Sequence, residues 1–326
     1  MKKKPHSADI PPNITTYPNN MKNFGDRLYE AIKNKCPICV GIDPRIGSIP
    51  QFIKDSALEE LGDTKEAVAM AFTDFSIGLI DSIHDIVPVI KPQLAFFEMY
   101  GSAGLQAFEE ICEYAQGKGL IVIADGKRND IGSTAEGYAK AFLGESELIK
   151  GSLACNFVDA LTVNPYLGSD SIKPFQDITS DNGKGIFILV KTSNPSSSEI
   201  QDLACGDHMV HEEVSHLVAG WGLSNLGETH YSNIGAVVGA TYPEEAKYLR
   251  SLMPNQFFLV PGYGAQGGGA SSVKPCFNSD GTGALINSSR DINFAYLKNK
   301  KYSEKNYAEA AREATLAMKK DLESIF

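Results

Sequence analysis

Lysine and aspartate residues alternate at the ends of two short apolar runs, where their charges could stabilise a carbanion. Asp125 and Lys127 come directly after the run 120–124, Asp130 lies three residues beyond Lys127, and Lys91 comes directly after the preceding run. Because residues i and i+2 of a strand share a face, we expect Asp125 and Lys127 to point the same way. A lysine held between two carboxylates stays an ammonium, which can stabilise a carbanion and then protonate it. An ordinary network of ion pairs is the alternative interpretation.

A glycine-rich segment and an arginine could together hold an anion such as phosphate. The segment 261–269 follows one apolar run, and the segment 287–290, which ends in arginine, follows the next. Glycines let backbone N–H groups approach an anion, and arginine can bind a phosphate through two hydrogen bonds. Gly262, Gly264 and Gly267 also match a dinucleotide-binding fingerprint, but no apolar-periodic helix follows them, which argues against that kind of site.

Eight short, β-branched runs predict the strands that must position these side chains. The runs are nearly continuous in apolar residues, as expected for parallel strands covered on both faces. Amphipathic segments lie between them, so the sequence predicts an α/β fold, a (β/α)8 TIM barrel with a short N-terminal helix and a C-terminal helix. A doubly wound sheet is the alternative. The runs span residues 38–42, 87–90, 120–124, 160–163, 186–190, 234–238, 257–260 and 284–286.

Length and composition favour one large acidic domain. The chain has 326 residues, of which 43% are hydrophobic, and a net charge of −10. This balance excludes global disorder and argues against nucleic acid or an anionic membrane surface as partner. We expect a flexible tail over residues 1–20 and a single catalytic barrel over residues 21–326. No apolar run reaches the ~18 residues of a membrane span, and neither a signal peptide nor a disulfide framework is indicated, so we expect a cytoplasmic protein.

The histidines and cysteines do not have the sequence spacing of a metal site, so the sequence predicts no metal. His208, His211 and His216 miss the H-E-x-x-H spacing by one residue and are interpreted as a solvated helix face. Cys36 and Cys39 lack a second C-x-x-C pair, and we expect both to be small buried side chains.

The ordered set of motifs resembles the longer form of the orotidine 5′-phosphate decarboxylase family, and the resemblance covers residues 22–297. Asp125, Lys127 and Asp130 fall in the pattern Asp-x-Lys-x-x-Asp-Ile-x-x-Thr. Related barrels that act on sugar phosphates share the first part of this pattern, so the complete set is the more specific signal. The other matching segments are Asp43-Pro44, 91–98, 162–168, 191–195 and 261–266.

The resemblance implies conversion of orotidine 5′-phosphate to uridine 5′-phosphate and CO₂, the last step of de novo pyrimidine synthesis, without a cofactor. It implies that Lys127 stabilises and protonates the carbanion at C6, that Asp125 and Asp130 hold Lys127, and that Lys91 orients Asp125. It implies phosphate contacts for Gln266, the backbone around Ser289 and Arg290. It implies ribose contacts for Asp43, Lys91 and Thr134, and a pyrimidine contact for Ser193 with Thr192 beside it. The implied substrate-binding residues are Asp43, Ile131, Thr134, Thr192, Ser193, Gln266, Ser289 and Arg290.

The same resemblance implies a homodimer with shared active sites, in which the segment 130–134 reaches into the neighbour's site. In some members of the family the activity is fused to or associated with orotate phosphoribosyltransferase, so that partner stays open for this chain. Two other functions also stay open. One is a metal-dependent sugar-phosphate decarboxylase or aldolase of the same barrel superfamily, and the other is a nucleotide-binding barrel without catalysis.

Overall fold

Eight parallel strands form a closed barrel in the computed structural model, which describes residues 22–264 and 269–326. Each strand pairs with the next along the chain, and the last pairs with the first. The predicted (β/α)8 barrel is therefore confirmed, and the doubly wound sheet is excluded. The strands are β1 (Ile38–Ile42), β2 (Val89–Pro92), β3 (Ile121–Arg128), β4 (Ala160–Val163), β5 (Gly185–Lys191), β6 (Ile234–Val238), β7 (Phe258–Val260) and β8 (Ala284–Ser288).

Each predicted apolar run overlaps a barrel strand, several boundaries differ by one to four residues, and two of these differences have a local reason. β2 begins after Pro88, which has no N–H group to donate to a neighbouring strand. β3 continues to Arg128, beyond the predicted end at residue 124, because the strand pairing resumes at Arg128 after a shift in register. Within that irregular stretch Lys127 has φ +46°, a left-handed conformation that few non-glycine residues adopt.

Helices alternate with the strands and cover the outside of the barrel. They are α1 (Phe24–Asn34), α2 (Gln51–Leu61), α3 (Lys65–Ile83), α4 (Leu94–Glu98), α5 (Gly101–Gly117), α6 (Gly132–Leu143), α7 (Ser169–Asn182), α8 (Ser198–Gln201), α9 (Val210–Gly222), α10 (Pro243–Leu252), α11 (Ala270–Val273), α12 (Arg290–Asn293), α13 (Ala295–Lys298) and α14 (Tyr307–Glu323). Two short hairpins add to this framework, Glu145–Glu147 with Ser152–Ala154 and Ala204–Cys205 with His208–Met209. None of the described helices combines the length and apolar character that a membrane span needs.

The short N-terminal helix α1 closes the lower end of the barrel. Its apolar residues Phe24, Leu28 and Ile32 recur at intervals of four, which places them on one face. That face packs on the inward-pointing side chains of the strands, and the ring of Phe24 meets the ring of Phe187 edge to face. With its floor filled, the barrel presents its polar side chains at the opposite end, where the strands finish. The tail predicted over residues 1–20 lies outside the described residues.

Candidate active site

Strands β2 and β3 bring three charged side chains together at the mouth of the barrel. The Lys91 Nζ atom lies 2.5 Å from one carboxylate oxygen of Asp125, and the Lys127 Nζ atom lies 2.6 Å from the other. Asp125 is only 5% exposed and Lys91 only 6%, whereas the Lys127 side chain is 45% exposed. Asp125 therefore lies between two cations, one in the protein interior and one open to the barrel mouth.

Mutual attraction keeps the buried members of this cluster charged. Burial alone would raise the pKa of Asp125, but the charges of Lys91 and Lys127 and their hydrogen bonds outweigh it, so its pKa lies well below the usual range. Burial would likewise lower the pKa of Lys91, but Asp125 and Asp43 outweigh it and raise that pKa. At neutral pH the cluster is a fixed array of charges.

Two polar side chains that the sequence analysis did not assign complete the shell around Asp125. Thr162, at the end of β4, donates its hydroxyl to Asp125 (2.9 Å) and accepts the backbone N–H of Lys127 (2.9 Å). Gln93 donates to the other Asp125 oxygen (2.9 Å). The hydrogen bond from the Lys127 N–H to Thr162 also holds the left-handed backbone at Lys127. The place of Thr162 at the end of one strand and of Gln93 directly after another was the signal that could have identified them.

Two connected cavities open over this cluster. The first, of about 440 Å³, contains the charged cluster together with the β5 loop, where Thr192 and Ser193 line the wall. The second, of about 690 Å³, lies over the ends of β1 and β8. Ser193, Asn194 and Asn287 line both cavities, so the two form one continuous cleft.

The second cavity is rich in cations and hydrogen-bonding groups. Arg290, at the start of α12, lines it together with Ser289, Arg45 and Lys298. Asp43 lines the same space, and its buried Oδ1 atom has no hydrogen-bond partner in the described chain. A buried acceptor without a partner is costly, so this atom is able to accept a hydrogen bond from a ligand that enters the cavity. Gln266, the remaining residue implied at this end, lies outside the described residues.

The segment after β3 does not enter the cleft of its own chain. Asp130, Ile131 and Thr134 line neither cavity, and Ile131 is 53% exposed. The Asp130 carboxylate accepts the backbone N–H of Ile131 (2.8 Å) and makes no ion pair within the described chain. Within the described chain Lys127 is thus paired with one carboxylate, that of Asp125. The second carboxylate expected beside it, that of Asp130, does not contact it there. The reason is that β3 ends at Arg128, and the chain then turns outward into α6.

The fold brings carboxylates and histidines together in two groups, although their spacing in the sequence does not indicate a metal site. In one group Asp202, His211 and Glu245 lie close enough to share an ion, but the Lys191 ammonium lies among them and pairs with both carboxylates. His211 is buried, which corrects its interpretation as part of a solvated helix face. The other group, at the edge of α9 and outside the cleft, consists of His208, Glu213 and His216. Cys36 and Cys39 are buried, as predicted.

Comparison with known proteins relates the whole barrel to one family. The family model described as "Orotidine 5'-phosphate decarboxylase / HUMPS family" matches residues 37–304. Orotidine 5′-phosphate decarboxylase of Rhodopirellula baltica is 44% identical, over 93% of this chain and 99% of that protein. The enzyme of the same name from Caldicellulosiruptor bescii is also 44% identical, over 94% of this chain and 98% of that protein.

Solved structures show the same relationship. The Leishmania donovani OMP decarboxylase has a TM-score of 0.71 and 30% identity, covering 93% of this chain and 98% of that one. The Leishmania donovani UMP synthase has a TM-score of 0.69 and 32% identity, covering 91% of this chain but only 57% of that one. The second protein therefore contains a large region that this barrel does not match.

Proposed function

Because this chain belongs to the orotidine 5′-phosphate decarboxylase / HUMPS family, we propose that it converts orotidine 5′-phosphate to uridine 5′-phosphate and CO₂. The observation that carries the proposal is the continuous cleft, which has the Lys91–Asp125–Lys127 cluster at one end and Arg290 at the other. A nucleotide has the matching form, with a reactive base at one end and a phosphate at the other. The uridine 5′-phosphate that the proposed reaction forms supplies the pyrimidine nucleotides of the cell.

Lys127 is proposed as the proton donor. When the bond between C6 and the carboxylate breaks, CO₂ leaves and the electron pair stays on C6 as a carbanion. The Lys127 ammonium lines the cleft and is held by Asp125, so it can stabilise this charge and then transfer a proton to C6. Lys91 is buried and already bonded to Asp125, which suits it to orienting that carboxylate.

The rest of the cleft fits the other parts of the substrate. The partnerless Asp43 carboxylate oxygen suits a ribose hydroxyl, which can donate to it. Thr192 and Ser193 line the cavity of the charged cluster and suit the pyrimidine. Arg290, the backbone around Ser289 and, outside the described residues, Gln266 are proposed to hold the phosphate. Tight binding of this remote phosphate contributes to catalysis at C6.

Two copies of the chain are proposed to share their active sites. Ile131 and Thr134 are exposed at the barrel rim, Asp130 is half-buried there, and none of the three lines its own cleft, so a neighbouring copy can receive them. Mixing a Lys127→Ala chain with an Asp130→Ala chain then creates hybrid dimers in which one site carries both lesions and the other none. Statistical exchange should restore about a quarter of the parental activity. No recovery in demonstrably mixed dimers would exclude shared sites.

One assay separates the proposed reaction from its rivals. Loss of orotidine 5′-phosphate absorbance is followed after dialysis against a chelator and again after addition of Mg²⁺. The proposal expects turnover that the chelator leaves unchanged. Activity that disappears and returns with Mg²⁺ would favour the metal-dependent sugar-phosphate enzymes. Nucleotide binding without turnover would favour the non-catalytic barrel.

The substrate must come from an enzyme that joins orotate to a phosphoribosyl group, and we propose the cytoplasm as the place of both reactions. The matched Leishmania donovani structure is titled UMP synthase, and the barrel corresponds to only part of it. This supports a physical association of the present chain with orotate phosphoribosyltransferase. Co-purification of the two activities from a soluble extract tests it, and their separation at the first column would argue against it.

A further inference from the structure

A chain of three hydrogen-bonding side chains in the β5 loop ends in the cleft. The Oε1 atom of Gln201 accepts the backbone N–H of Thr192 (2.9 Å), and its Nε2 atom donates to the Thr192 hydroxyl (2.7 Å). That hydroxyl in turn donates to the Oδ1 atom of Asn194 (2.6 Å). All three residues line the cavity that contains Lys127.

The backbone N–H of Thr192 fixes the direction of every hydrogen bond in this series. A backbone N–H can only donate, so it must meet the carbonyl oxygen of the Gln201 amide. The Gln201 NH₂ group therefore faces the Thr192 hydroxyl, which accepts its hydrogen and keeps its own proton to donate. Only the carbonyl oxygen of the Asn194 amide can accept that proton. The NH₂ group of Asn194 is consequently turned away from Thr192, and it has no hydrogen bond to the described chain.

The backbone at Gln201 is itself held in place. The buried His211 lies 2.8 Å, through Nδ1, from the backbone carbonyl oxygen of Gln201, and Nδ1 must carry the proton to donate there. The next residue, Asp202, pairs with the buried Lys191 at the end of β5, and Glu245 lies 3.1 Å from the same ammonium. These contacts tie α8 to β5 and fix the backbone of Gln201, while the two hydrogen bonds to Thr192 hold its side chain.

We infer that Asn194 is a substrate-binding residue whose NH₂ group donates to an acceptor oxygen of the bound nucleotide, and that Gln201 is a positioning residue that fixes this orientation. The inference rests on the proposed function and deepens it. Asn194 lines both cavities where they meet, so its donor can reach a pyrimidine carbonyl from one side or a phosphate oxygen from the other. Both groups are acceptors, and the same amide hydrogen serves either.

Calorimetric titration with uridine 5′-phosphate tests the role of Asn194. Asn194→Ala should raise the Kd about 3- to 10-fold, the effect of one lost hydrogen bond. Asn194→Asp should raise it further, because the added charge faces an acceptor. Ser196→Ala, an exposed change in the same loop that lines neither cavity, is the matched control and should stay within about twofold. A Kd within twofold of the parent in Asn194→Asp would overturn the inference.

Gln201→Glu tests the positioning role. The introduced carboxylate still accepts the Thr192 N–H but cannot donate to the hydroxyl, which then turns toward it and releases Asn194. We expect a Kd about 3- to 10-fold above the parent in the Asn194 background and no further loss in the Asn194→Ala background. Independent, multiplying effects of the two changes would refute the coupling, since a merely structural role of Gln201 weakens binding equally in both backgrounds.

Thio analogues identify the oxygen that accepts the hydrogen bond. Sulfur is the weaker acceptor, so the Asn194→Ala penalty should vanish for the uridine 5′-phosphate analogue that carries sulfur at the contacted carbonyl. A penalty that persists with both the 2-thio and 4-thio analogues assigns the contact to the phosphate. Failure of the proposed function has a separate signature, because the parent chain would then neither bind uridine 5′-phosphate nor decarboxylate its substrate.

Discussion

Replacing Asp125 by asparagine removes a charge while nearly keeping the shape of the side chain, which isolates the electrostatic role of this residue. Asp125 is 5% exposed and Lys91 6%, so the substitution leaves a buried ammonium without its nearest carboxylate. Breaking a buried pair in this way costs about 3–5 kcal/mol. The alternative open to Lys91 is to lose its proton at pH 7, and from an ordinary lysine pKa of about 10.4 this costs about 4–5 kcal/mol. We therefore expect the free energy of unfolding to fall by about 3–5 kcal/mol at pH 7.

Urea unfolding monitored by circular dichroism at several pH values measures this effect. If Lys91 is neutral in the folded Asp125→Asn variant, its unfolded state binds one proton more, so the variant gains up to about 1.4 kcal/mol per pH unit on the way to pH 9. The gap to the parent should narrow accordingly. Asp177→Asn, in an exposed pair with Lys173, is the control and should cost below about 1 kcal/mol. A loss below about 1 kcal/mol in Asp125→Asn at pH 7 would refute the assignment of a tightly coupled buried pair.

Three further outcomes follow from the site. Thr162→Val removes both hydrogen bonds that link Asp125 to the Lys127 backbone, so we expect kcat to fall about tenfold while the Kd for uridine 5′-phosphate, measured by calorimetry, changes less than about twofold. Arg290→Ala removes the charged contact proposed for the phosphate and should raise KM about 10- to 100-fold in steady-state assays; an unchanged KM would remove Arg290 from the phosphate site. Because the pKa of Asp125 is lowered by folding, its stabilising contribution is complete above about pH 4 and is lost as the pH falls through the folded value. Unfolding free energies of the parent should thus be insensitive to this pair between about pH 5 and 9 and should decline below about pH 4, and a decline that begins near pH 6 would contradict the assignment.

The barrel and the meeting of Lys91 with Asp125 could be predicted because both depend on local pattern. Continuous apolar runs mark buried parallel strands, and the polar residues that end them must meet at one rim. Asp125 and Lys127 meet as expected, but their backbone does not follow a regular strand. Lys127 has φ +46°, and the pairing of β3 with β4 shifts at this point. The i, i+2 argument thus predicted the contact without the irregularity that shapes it.

Contacts between distant segments were beyond the reach of sequence spacing. Thr162 reaches Asp125 across 37 positions, and no pattern in either segment marks the hydrogen bond. The buried His211 lies near Asp202 because the hairpin between them reverses the chain, whereas helical spacing alone predicted a solvated surface. Asp130 shows a different limit, because its contact with Lys127 is absent within one chain and is proposed to form with a second copy.

The most direct test of the account compares chemistry with binding in Lys127→Ala. Lys127 is the charged group of the cluster that is open to the cleft, whereas Arg290 and Ser193 line other parts of it and stay unchanged by the substitution. Decarboxylation of orotidine 5′-phosphate and binding of uridine 5′-phosphate are measured on the same folded preparation, with folding checked by circular dichroism. We predict that turnover is lost while appreciable affinity for uridine 5′-phosphate remains. Turnover within about tenfold of the parent, equivalent to about 1.4 kcal/mol of activation free energy, would show that Lys127 is not the proton donor and would contradict the account.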